Sequence, residues 1–131
     1  MKKARLNTFI VEDDPFYANL IRHLLLENNY NNLQLFHSGE GCIRNLHKSP
    51  DVVILDHDLG QMDGLDVLKE IKSYDPKIEV VFLSGQDKTK VAVSALRYGA
   101  FDYLEKDANN LKRLIFIINL IEYTDGSVAR K

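Results

Sequence analysis

The sequence predicts a three-layer α/β fold, doubly wound, with a five-stranded parallel sheet between helices. Three observations predict it. Short, largely apolar runs recur five times, as expected of strands buried on both faces. Each run is followed by a segment with helical spacing, so the order is β-α five times. The first and third runs end abruptly in carboxylates, Glu12-Asp13-Asp14 and Asp56, where an α/β sheet gathers its ligands.

The elements follow in order. Leu6 to Val11 reads as the first strand. Asp14-Pro15 then supplies an N-cap and a proline at the first helical position. Phe16, Leu20 and Leu24, with Tyr17, Ile21 and Leu25, carry that helix to about Glu27. Asn28 to Asn32 is a turn cluster, and Leu33 to Phe36 the second strand. Ser38 caps a helix carrying Ile43 and Leu46, ended by Ser49-Pro50. Asp51 to Asp56 is the third strand, His57 to Asp63 a loop, and Asp63 the cap of a helix through Leu65, Leu68 and Ile71. Ile78 to Leu83 is the fourth strand. The loop Ser84-Gly85-Gln86-Asp87 leads to a helix with Val91, Ala95 and Leu96, stopped at Gly99. Phe101 to Leu104 is a weak fifth strand, and a last helix runs from about Ala108 to Tyr123.

Composition bounds the function classes. The 131 residues make one domain over 1–123, with 124–131 a short tail or the start of a linker. Hydrophobic and charged fractions of 45% and 27% are those of an ordinary globular protein. Lys plus Arg is 17 against 19 Asp plus Glu, a net charge of −2. That balance argues against direct nucleic-acid binding by bulk charge. One cysteine, Cys42, forms no internal disulfide and points to a reducing, cytoplasmic setting. The start Met1-Lys2-Lys3-Ala4-Arg5 lacks the apolar region of a signal peptide, and no run is apolar enough to imply a membrane.

Parallel strands put their carboxyl ends at one rim. Strand one delivers Glu12 and Asp13, strand three Asp56 with Asp58 beyond it, strand four Ser84, and strand five Lys106. Crowded carboxylates raise one another's pKa or recruit a cation. An all-oxygen set suits Mg²⁺, and a lysine beside it suits a phosphate. Cys42, His37 and His47 lie close in sequence without metal spacing. His57 is turned away from Asp56 by strand alternation.

Four motifs carry a family resemblance: Phe9 to Pro15; Asp51 to Asp56 continuing through Leu59-Gly60-Gln61-Met62-Asp63-Gly64; Val80 to Gly85; and Gly99 to Lys106. Together they resemble the receiver domain of two-component response regulators, over roughly Asn7 to Ile121. The resemblance implies a flavodoxin-like sheet of order 2-1-3-4-5 and a phosphoacceptor, Asp56. It implies Mg²⁺ held by Glu12, Asp13, Asp56 and the backbone carbonyl of Asp58. Ser84 and Lys106 would bond the phosphoryl oxygens, and Tyr103 would swing inward as Ser84 is recruited. Asp58 and Gln86 would tune the phosphoryl lifetime. The donor would be a histidine kinase or phosphotransfer protein. Three positions depart from the pattern: Glu12 for a shorter aspartate, Gly60 for proline, and Asp107 where a proline with a cis bond is usual. Gly60 leaves the loop after Asp56 more flexible. At Asp107 either the cost of a non-proline cis bond is met or the loop differs.

Two other readings stand beside this one. One is a phosphorylation-independent interaction domain on the same scaffold, against which the intact set Asp13, Asp56, Ser84 and Lys106 argues. Asp56-His57-Asp58 also resembles the start of a haloacid-dehalogenase-type phosphatase motif, although Gly60 stands where that motif has Thr or Val. The last helix carries two apolar stripes, Leu111, Leu114, Ile115, Ile118 and Ile121, and separately Phe116, Leu120 and Tyr123. The second stripe is either packed by the tail or a neighbouring helix or, the favoured reading, forms a homodimer surface with the Val91–Tyr98 helix and strand five.

Overall fold

The computed structural model describes residues 6–85 and 87–124. The reading of Met1 to Arg5, the Gln86 assignment and the tail beyond Thr124 lie outside them. Seven strands and five helices follow one another: β1 (Thr8–Val11), α1 (Pro15–Glu27), β2 (Leu33–Phe36), α2 (Gly39–Arg44), β3 (Val52–Asp56), β4 (Asp58–Leu59), β5 (Met62–Asp63), α3 (Gly64–Tyr74), β6 (Glu79–Ser84), α4 (Thr89–Arg97), β7 (Asp102–Glu105) and α5 (Ala108–Thr124). The main sheet is parallel, in the order β2-β1-β3-β6-β7, the expected 2-1-3-4-5.

Strand alternation splits the core in two. Phe9, Val11, Val53, Leu55, Val80 and Phe82 face one side, with Cys42, Val67, Leu68, Ile71 and Ala95 from α2, α3 and α4. Ile10, Val52, Ile54, Val81, Leu83 and Leu104 face the other, under Ile21 and Leu25 of α1 and Leu114, Ile117, Ile118 and Ile121 of α5. Every residue of β1 and β3 is buried, and apart from Thr8 at the start of β1 both strands are apolar until they reach the rim.

Capping sets the helix starts. Asp14 accepts from the Phe16 N–H at 3.1 Å, Ser38 from Gly41 at 3.0 Å and Asp63 from Leu65 at 2.9 Å. Two elements differ from the sequence reading. The second helix does not run through to Leu46: it ends at Arg44, and Leu46–Lys48 is a 3₁₀ turn. Asn45 Nδ2 donates to the Gly41 carbonyl at 2.7 Å, competing with the helical ladder, and Pro50 stops any continuation. The segment His57 to Asp63 is not a plain loop. Asp58 pairs with Asp63 and Leu59 with Met62 in a small antiparallel hairpin. Gly60 makes its turn at φ 76°, a conformation closed to proline, whose ring fixes φ near −65°. Leu59 is buried beneath this turn. Small shifts of boundary also occur: β1 starts at Thr8, β6 covers Glu79–Ser84 and β7 covers Asp102–Glu105.

Candidate functional site

Four polar side chains are buried among the described residues: Thr8, Glu12, Asp56 and Ser84. Three of them stand at the carboxyl rim. Val11 lies beside Leu55, so the ends of β1 and β3 bring Glu12 and Asp56 together. Asp56 lies beside Leu83 and Ser84 beside Glu105, which adds Ser84 and then Lys106. The Lys106 N–H donates to the Ser84 carbonyl at 2.8 Å and holds the end of β7 in place.

Burying charge is costly unless it is paired. Lys106 does the pairing. Its Nζ donates to Asp56 Oδ1 at 3.2 Å and lies 3.0 Å from Glu12 Oε1. Its third side faces the Tyr17 ring, 4.5 Å from the centroid. Glu12 Oε2 accepts from the Asp14 N–H at 3.2 Å, so the longer glutamate spans from the start of α1 to the lysine. One ammonium does not balance two buried carboxylates. Burial and the Asp56 charge lift Glu12 to about 7, with Lys106 and the Asp14 N–H opposing. Burial raises Asp56 too, opposed by Lys106, Glu12 and the Asp58 N–H. Burial pulls the Lys106 ammonium down, but Glu12 and Asp56 outweigh it and leave the pKa above its ordinary value.

The surplus of carboxylate fits a hard cation. Glu12, exposed Asp13 and Asp56 each offer an oxygen, all within 4.8 Å of one another. This matches the oxygen donors and the charge that Mg²⁺ requires. The Asp58 side chain is exposed and stands outside that group. His57 is turned aside, its Nε2 3.3 Å from Asp63 Oδ1.

Ser84 Oγ donates to the Gly85 carbonyl at 3.2 Å and shares a 3.0 Å hydrogen bond with the Tyr103 hydroxyl. Tyr103 is half-buried, its ring already turned to Ser84. No peptide bond is cis among the described residues, so the Lys106–Asp107 junction takes the second of its two expected forms, a different loop. Asp107 caps α5 instead: its Oδ1 accepts from the Asn110 N–H at 2.9 Å, and Asn110 Nδ2 donates to the Glu105 carbonyl at 3.1 Å.

Three contributors escaped sequence reasoning. Periodicity makes Tyr17 only part of a helical stripe; its place in the first turn after the acidic pair is the signal that it faces the rim. His37 follows β2 at the same rim, with Nδ1 3.2 Å from the Glu12 carbonyl. Gly64 lets the start of α3 pass close to Asp56: a Cβ there would stand 2.4 Å from the Asp56 carbonyl oxygen.

Comparison with known proteins bears on this arrangement. The sequence pattern of the response regulator receiver domain matches residues 8–119. The NtrX-like response regulator of Rickettsia bellii is 33% identical over 121 residues, covering 91% of this chain and 25% of that protein. The transcriptional regulatory protein ZraR of Escherichia coli K12 is 33% identical over 115 residues, 86% of this chain and 26% of that protein. The chain thus spans about a quarter of the length of these curated relatives. Among solved structures, the receiver domain of NtrX from Brucella abortus superposes with a TM-score of 0.79 at 29% identity, covering 87% of this chain and 96% of that one. The phosphorylated cyanobacterial phytochrome response regulator RcpA gives 0.75 at 28% identity, over 92% and 94% of the two chains.

Proposed function

The chain belongs to the response regulator receiver domain family, a signalling family, and on that premise we propose that Asp56 is its phosphoacceptor. One observation carries the proposal. Asp56 is a buried carboxylate with an ammonium 3.2 Å away and two further carboxylates gathered around it.

The chemistry follows from that arrangement. An Asp56 carboxylate oxygen attacks the phosphorus of a phosphohistidine on a histidine kinase or phosphotransfer protein. The new O–P bond forms as the P–N bond breaks, and the electron pair stays on the histidine nitrogen. Such a transfer asks chiefly for positioning and charge neutralisation. Lys106 already lies at Asp56, and exchanging Glu12 for a phosphoryl oxygen brings its charge onto the group transferred. Glu12, Asp13, Asp56 and the Asp58 carbonyl would hold Mg²⁺, which would supply further neutralisation of the phosphoryl oxygens. Ser84 gives up Tyr103 and Gly85 to bond the product, and Tyr103 repacks in response. We assign the exposed Asp58 carboxylate to the lifetime of the acyl phosphate. The exposed Val93, Leu96, Tyr98, Phe116, Leu120 and Tyr123 would carry the change to a partner, a second copy included.

The test uses acetyl phosphate with Mg²⁺ and intact-protein mass. One phosphoryl group is expected on the natural chain and none on Asp56→Asn. Asp58→Asn should change the half-life of the product. No mass gain on the natural chain would leave a phosphorylation-independent interaction domain. Sustained turnover of a simple phosphate ester would favour the phosphatase reading.

A further inference from the structure

We propose that Tyr17 is a positioning residue for phosphoryl transfer, holding the Lys106 ammonium at the rim through its ring face. The inference rests on the phosphoacceptor reading and adds a residue to it.

The geometry is specific. Asp14 caps α1 and Pro15 starts it, so Tyr17 falls in the first turn, directly beyond the acidic pair. Lys106 Nζ lies 4.5 Å from its ring centroid, within the range where an ammonium is attracted to the negative face of an aromatic ring. Among the described residues, Nζ also meets Glu12 at 3.0 Å and Asp56 at 3.2 Å. Both of those are carboxylates that the proposed metal and phosphoryl groups would engage. As they are engaged, the ring is the one partner of the ammonium among the described residues that the chemistry leaves unaltered. Tyr17 also packs against the apolar cluster under α1 and α5, which restricts the motion of the side chain. A lysine is a flexible point charge, and ordering it before reaction lowers the entropic cost of meeting the phosphoryl oxygens.

The experiment has two readouts. The first is the proton spectrum of the Lys106 Cε methylene. A ring beneath it shifts these protons upfield in the natural chain and in Tyr17→Phe, and the shift disappears in Tyr17→Leu. The second is the rate of phosphorylation by acetyl phosphate with Mg²⁺. Tyr17→Phe should stay within about twofold, and Tyr17→Leu should fall roughly three- to tenfold, the range set by one cation–π contact. Should Tyr17→Leu fail to fold, graded ring fluorination of Phe at position 17 keeps the shape and weakens the face. The rate should then fall step by step with fluorine content. Absence of the upfield shift in the natural chain, or a rate indifferent both to Tyr17→Leu and to fluorination, overturns the proposal. If the natural chain takes no phosphoryl group while the shift is present, the phosphoacceptor reading fails and the lysine–ring contact stands.

Discussion

At the scale of single residues, the site stores uncompensated charge, and Glu12 shows it. Its carboxyl is lifted from 4.5 to about 7 in the fold, by burial first and then by Asp56. The folded chain therefore binds more protons than the unfolded chain between those values. The contribution of Glu12 to stability is full below about pH 4.5 and is lost as pH rises through about 7, with a span on the order of 3 kcal/mol. Thermal melts without metal should show Tm falling from pH 5 to 8. The fall should be shallower in Glu12→Gln, and shallower in the natural chain when Mg²⁺ is added. Gly64 offers a steric test. A methyl group there meets the Asp56 carbonyl oxygen at 2.4 Å and the His57 Cα at 2.7 Å, both backbone atoms that cannot turn aside. Gly64→Ala should cost about 1–3 kcal/mol in urea denaturation and slow Asp56 phosphorylation as β3 and α3 move apart. Of this site, Glu12, Asp13, Asp56, Ser84 and Lys106 could be placed from sequence because strand ends announce them. The contacts of Tyr17 and Gly64 could not, although the position of Tyr17 after the acidic pair points it toward the rim. Their roles depend on how closely a helix start approaches a neighbouring strand, and periodicity carries no such distance.

At the scale of elements, α5 is the informative case. Leu114, Ile118 and Ile121 are buried as their stripe requires, and Ile117 joins them. Phe116 and Tyr123 are each 65% exposed and Leu120 is 41% exposed, so the second stripe finds no cover within the described chain. If phosphorylation recruits this face for self-association, sedimentation with beryllofluoride and Mg²⁺ should show dimers that Phe116→Glu abolishes. A monomer under both conditions would assign the stripe to another partner. Helix starts were legible because Asp14, Ser38 and Asp63 cap locally. The break at Asn45 and the hairpin around Gly60 were not. The first turns on a side-chain amide choosing a backbone carbonyl, the second on a left-handed turn that four residues of sequence do not reveal.

At the scale of the whole molecule, the sheet is a partition. The clusters on its two faces share no helix: α2, α3 and α4 serve one, α1 and α5 the other. This much was written in the alternation of strand and helix, since apolar runs without polar gaps can only be covered twice. The near-neutral total charge, by contrast, concealed the local imbalance at the rim. The partition has a consequence for motion. β3 lies at the centre of the sheet, hydrogen-bonded to β1 and β6 and buried along its length. Its amides should open to solvent only when the chain unfolds globally, so deuterium uptake there should report the full unfolding free energy. The ends of α4, with exposed residues on most sides, should exchange far sooner. Deuterium uptake measured by mass spectrometry before and after phosphorylation should therefore change locally in α4 and β7, while β3 follows only the change in global stability. The strand that carries the acceptor would act as an anvil: it takes the blow, and the parts that move are elsewhere.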